Sequence, residues 1–229
     1  MFSRASFHPC RLMSGELEER RHVTDVAMIV EGGLAVLALA VGWLVRVPPL
    51  ASVRFTVDAL PDHAAAVLWG VAATVPMLLG MWLLDRFPVG PLARLKQVVD
   101  EMVAPMFAEV TIAELAMISL MAGIGEEMLF RGLVQTGIAM VIDSPWGVWI
   151  AVASAAVLFG LAHAITGTYI VLAALVGAYL GWLLIVTGNL LAPIVAHGLY
   201  DFLALVYLAK WRARKKIGGP TQEDRTADW

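Results

Sequence analysis

The chain has 229 residues, 60% of them hydrophobic and only 15% charged, with a formal net charge of −3 and a mean hydropathy of +0.78. A soluble domain averages about 45–50% apolar and about 25% charged residues, so this composition excludes an ordinary water-soluble domain and points to lipid. The negative balance argues against a nucleic-acid partner, and the single cysteine, Cys10, rules out an intrachain disulfide or a cysteine-held metal.

A helix needs about 20 apolar residues to cross the ~30 Å hydrocarbon core. Residues 1–24, with Arg11, Arg20 and Arg21, are expected to form a cytoplasmic tail, irregular in part, in which Met13 offers a second start. The first apolar run, 26–45, is longer than the ~7–15 residues of a signal-peptide core and reads as an uncleaved anchor. Residues 46–63, with Pro48, Pro49 and Pro61, read as a loop containing a short extended piece. A second span is predicted over 64–84. Residues 91–109 mix Leu92, Leu95, Val98 and Met102 with Arg94, Lys96, Asp100 and Glu101, the spacing of a helix lying along the interface.

The third apolar stretch, 110–142, exceeds one crossing and is expected to tilt, bend or break near Gly123 and Gly125. Three further spans follow at 146–164, 168–186 and 190–209, with Asn189 placed to cap the last. Gly160, Ala173, Ala174, Gly177 and Gly181 predict close helix packing. Residues 211–229 read as a basic and then polar tail. The fold class is therefore all-α: a polytopic membrane bundle of six crossings and one interfacial helix, with a single membrane domain over 25–210. Lysine and arginine collect at the N-terminal tail, at Arg86, Arg94 and Lys96, and from Lys210 to Lys216, which places both termini in the cytoplasm.

Within these spans the costly residues are ionisable. An intramembrane charge costs from ~3 kcal/mol upward and marks a partner or a wet cavity. Glu126 and Glu127 are adjacent, with Arg131 four residues after Glu127. Residues four apart share a helix face, and an acid N-terminal to a base is the favourable order, so Glu127 and Arg131 should pair. Glu126 points about 100° away and has no local cation, which leaves it free to meet a water. His163 and His197 each sit in an apolar span, and Asp201 stands one turn after His197, able to orient its ring. A lone membrane histidine is more often a packing residue, but polar groups this costly should converge.

A carboxylate and a histidine can activate water as general base, while a second histidine can donate to the oxyanion formed as a peptide carbonyl is attacked. Ser119, Ser144 and Ser154 lack a nucleophile-elbow setting, and no His-Glu-x-x-His sequence occurs. Two histidines and two carboxylates are nonetheless ordinary zinc ligands, so the residue types alone leave a metal open. Glu31 and Glu114 are further intramembrane acids with no assigned role.

Three motifs now stand in order: Glu126-Glu127-x-x-x-Arg131, Phe159-x-x-x-His163 and His197-x-x-x-Asp201. Over about 111–209 the chain resembles the CAAX-processing and bacteriocin-immunity (abortive-infection) family of intramembrane peptidases. That resemblance implies a helical, glutamate-dependent endopeptidase that needs no metal or other cofactor. It implies that Glu126 and His163 activate water, that Glu127 and Arg131 order the site, and that His197 with residue 201 stabilises the oxyanion. Asp201 departs from the asparagine of many prenyl-protein peptidases, and an ionised carboxylate cannot donate. The expected partners are the bilayer and a membrane-associated protein or peptide substrate, prenylated substrates included; the sequence leaves the oligomeric state open. The competing readings are a non-catalytic immunity or regulatory protein of the same fold, and a proton-coupled transporter, against which no matched halves with interrupted helices are found.

Overall fold

The computed structural model describes residues 9–212. Among them there are helices and connections and no strand. Helix α1 (Pro9–Val45) is helical well before the apolar run begins. Within the tail expected to be irregular in part, the described residues are helical from Pro9 onward. The proline opens the helix, where its missing N–H costs nothing. Residues 16–22 are mostly strong helix formers. The first eight residues and the polar tail from 213 lie outside the described residues.

The connection after α1 is a strap, as the prolines imply. It ends in a single 3-10 turn (Val57–Ala59), and α2 (Leu60–Arg86) begins one turn before the predicted span, with Pro61 in its first turn. The strap is sewn to the far end of the chain. The Ser52 hydroxyl accepts from the Leu190 amide at 3.1 Å, and His63 bridges the Arg54 carbonyl at 2.8 Å and the Asn189 side-chain amide at 3.0 Å. The Asn189 side chain also accepts from the Leu191 amide at 3.0 Å, the capping role expected of it. Arg54 pairs with Asp62 on the same side.

At the other end of the bundle, α3 (Pro91–Val98), a π turn (Val99–Val103) and α4 (Ala104–Met106) form the short amphipathic helical run expected there. Lys96 pairs with Asp85, which also accepts from the Tyr207 hydroxyl at 2.7 Å, tying this run to α2 and to the end of the chain. Helix α5 (Ile112–Glu127) starts with a capping box between Thr111 and Glu114. Glu114 is thus a half-buried helix cap.

Helix α5 stays α-helical through Gly123 and Gly125, and the irregularity begins three residues after Gly125 as a π-helical segment (Met128–Gln135) leading into α6 (Thr136–Val141). The glycines serve close approach. A Cβ on Gly123 would meet the Gly198 amide and the Ile194 carbonyl at 2.9 Å, and one on Gly125 would fall on the Glu31 carbonyl oxygen. Helices α7 (Gly147–Ala162), α8 (Gly167–Thr187) and α9 (Leu191–Val206) complete the bundle, α8 stopping at Gly188 in the left-handed region.

Four helical runs are long and apolar enough to cross a membrane: Arg21–Val45, Val57–Arg86, Gly167–Thr187 and Leu191–Lys210. Gly147–Ala162 is a shorter apolar helix, and the continuous run 112–141 carries the acids and Arg131. These six runs correspond to the six apolar stretches of the sequence, and the chain is an all-α polytopic membrane protein. The closest pairings are α7 with α8, α2 with α9, α5 with α9 and α1 with α5, so α5 lies between α1 and α9. Small residues permit this: a Cβ at Gly160 would lie 2.9 Å from the Ala174 Cβ, and one at Gly177 would lie 3.1 Å from the Ala156 Cα.

Candidate active site

The site grows from the end of α5, where the bare backbones of Gly123 and Gly125 admit α9 on one side and α1 on the other. Glu127 is fully buried. One oxygen, Oε1, accepts from Arg131 Nη1 at 2.7 Å and from His197 Nδ1 at 2.8 Å. The four-residue pairing with Arg131 is as expected. The bond to His197 was not foreseen, because it joins residues 70 apart in sequence.

Arg131 has no accessible surface. Its Nη2 donates to the Gly177 carbonyl at 3.0 Å, and its guanidinium lies 4.4 Å over the Phe159 ring. Gly177 presents no side chain between the guanidinium and that carbonyl. The contact recurs one turn on, where Gln135 Nε2 donates to the Gly181 carbonyl at 3.1 Å. In the π segment the Thr136 hydroxyl donates to the Arg131 carbonyl at 2.9 Å, supporting a backbone that has left the α register.

Glu126 is 8% exposed, and its Oε2 has no hydrogen-bond partner. That oxygen lies 3.7 Å from His163 Nε2. The spacing is too long for a direct hydrogen bond and suits a bridging water. His163 Nδ1 donates to the Phe159 carbonyl at 2.8 Å. A carbonyl only accepts, so this nitrogen holds the proton, and in the neutral ring the lone pair at Nε2 is turned toward Glu126. His163 was read as a buried helix residue; it is instead the C-cap of α7, with its side chain about a quarter exposed. Its helix ends there, and the ring escapes full burial.

His197 stands between two carboxylates. Nδ1 faces Glu127, and Nε2 lies 3.3 Å from Asp201 Oδ2, the one-turn contact read from the sequence. Phe159 organises the set. Its ring is 4.5 Å from the His163 ring, 5.8 Å from the His197 ring and 5.1 Å from the Phe130 ring. Phe159 stands four residues before His163 in the second motif, and that spacing is the sequence signal for its role.

All six predicted site residues, Glu126, Glu127, Arg131, His163, His197 and Asp201, therefore converge in one cluster rather than stringing out along a path. Among the described residues no three His, Cys, Asp or Glu side chains are arranged to hold a metal ion. Residues 108–203 match the family model described as type II CAAX prenyl endopeptidase, Rce1-like. Over that stretch the chain is similar to the Rce1-like family. The match covers less than half of the 229 residues, but it contains all six residues of the cluster. It begins three residues before and ends six residues before the motif-bearing core expected from the sequence. No curated protein and no solved structure matches the chain. Helices α1 and α2 precede the Rce1-like segment, yet α1 reaches the site through Gly125.

Proposed function

We propose that this protein is an intramembrane endopeptidase that hydrolyses a peptide bond of a membrane-associated protein or peptide, and that prenylated substrates, named in the family's description, are among those it accepts. The observation that carries the reading is the 3.7 Å space between Glu126 Oε2 and His163 Nε2, two groups able to take a proton with neither used by another side chain. A water there gives a proton to this pair as its oxygen attacks the carbonyl carbon. His197 offers N–H to the developing oxyanion at the margin of its long contact with Asp201. As the C–N bond breaks, the proton passes to the leaving amine. Glu127 and Arg131 hold the His197 ring in place and touch no reacting atom. The mechanism uses no metal, and both termini face the cytoplasm, in a bacterial plasma membrane.

The test is Glu126→Gln, which keeps shape and removes basicity. In lipid nanodiscs with an internally quenched S-farnesylated peptide, hydrolysis should fall by at least about 10²-fold with an unchanged unfolding temperature. Near-normal turnover would end the assignment.

A further inference from the structure

Glu31 is a half-buried acid of α1, and it lies outside the segment that matches the family model. Its carbonyl oxygen occupies the space that a Cβ on Gly125 would take, so α1 touches α5 backbone to backbone one residue before Glu126. From there its side chain enters the neighbourhood of the cluster. The Glu31 carboxylate acts electrostatically on Glu126 and is acted on by His197 and Asp201. Its Oε2 is enclosed and has no hydrogen-bond partner.

We propose that Glu31 is a specificity-determining residue of this site: with Asp201 it forms an acidic wall that receives a cationic group beside the scissile bond and rejects an anionic one. The inference rests on the hydrolase reading for the placement of that bond.

Three observations support it. Asp201, which meets His197 Nε2 at 3.3 Å, is still 29% exposed, and Glu31 is half-buried, so neither side chain is fully closed off from an incoming group. Glu126, more than nine-tenths buried, carries an unpartnered oxygen of its own and feels the charges of both. Arg131 is committed to Glu127 and Gly177, and the His197 ring is shared between Glu127 and Asp201, which leaves the Oε2 atoms of Glu31 and Glu126 without a hydrogen-bonded cation. An acid that served only to pack α1 against α5 would gain from a bond to a donor there, and Glu31 Oε2 makes none.

Two S-farnesylated peptides test this. In both, a ketomethylene group replaces the scissile amide, and they differ only in carrying Lys or Glu at the next residue. Binding is measured by microscale thermophoresis on the full chain in nanodiscs. The wild type should hold the Lys peptide at least about tenfold more tightly than the Glu peptide, as opposite charges at close range in a poorly screened site require. Glu31→Gln should shrink that ratio several-fold. Asp201→Asn carries the same expectation and keeps the test decisive if Glu31→Gln does not fold. Equal binding by the wild type, no binding of either peptide, or a ratio unmoved in a folded Glu31→Gln protein overturns the proposal. Binding needs no hydrolysis. A charge preference that depends on Glu31, in a protein that cleaves neither parent amide, would therefore sink the hydrolase reading and leave the acidic wall standing.

Discussion

Arg131→Ala is the most informative single perturbation of the cluster. The guanidinium bonds to Glu127 Oε1 at 2.7 Å, bonds to the Gly177 carbonyl at 3.0 Å, and lies 4.4 Å over the Phe159 ring. Removing one member of a buried ion pair costs ~3–5 kcal/mol, because the remaining charge keeps its desolvation penalty. The Gly177 carbonyl, left without its donor, adds ~1–3 kcal/mol, and the lost ring contact ~0.5–2 kcal/mol, though terms sharing one side chain do not simply add. Against a total stability of ~5–15 kcal/mol, the expected result is a chain that accumulates poorly and unfolds many degrees lower in nanodiscs. The double variant Glu127→Gln with Arg131→Met removes both charges and should recover much of that stability. It should remain inactive, since His197 Nδ1 has lost its carboxylate. An Arg131→Ala protein of wild-type stability and activity, or a double variant no more stable than Arg131→Ala, refutes the argument.

Four further outcomes are expected. His163→Ala should lower hydrolysis about as far as Glu126→Gln, and the two together should be little worse than either, because both act on one water; multiplicative losses in single-turnover assays would separate them. Gly125→Ala should lower the unfolding temperature, since the added methyl falls on the Glu31 carbonyl oxygen, whereas Gly33→Ala, with nothing within 4 Å, should not; equal effects would contradict the close approach. Extended chelation should leave hydrolysis intact, and a loss reversed by added zinc would move the enzyme to the metalloproteases. Reporter fusions at Asp58 and at the C-terminus should sort to opposite sides of the membrane, and finding both on one side would sink the proposed orientation.

What the sequence disclosed was local. The pairs Glu127 with Arg131 and His197 with Asp201 follow from helix pitch, and the Asn189 cap follows from its place before an apolar run. What it hid was decided by helices meeting. The Glu127–His197 bond depends on how α9 crosses α5, and nothing within either segment encodes that. Gly123 and Gly125 looked like a hinge because glycine is a weak helix former, but their value lies in what they let near. The π segment at Met128–Gln135 has no sequence mark of its own; it stands where Arg131 and Gln135 must both reach carbonyls of α8. Glu31 was noticed as costly, and only the α1–α5 contact gives it neighbours.

The sewing of the strap to the start of α9 governs when the cluster comes into being. Ser52 meets Leu190 across 138 residues, and His63 meets Asn189 across 126. A growing chain can insert α1 to α8 with Glu127 and Arg131 already paired on their shared helix. His197 and Asp201 arrive only with α9, which must find its slot between α2 and α5 and be fastened there by the strap. Every shorter chain lacks two of the six cluster residues. Assembly thus runs ahead of chemistry: a ribosome-bound precursor holds no complete cluster with which to cut its neighbours.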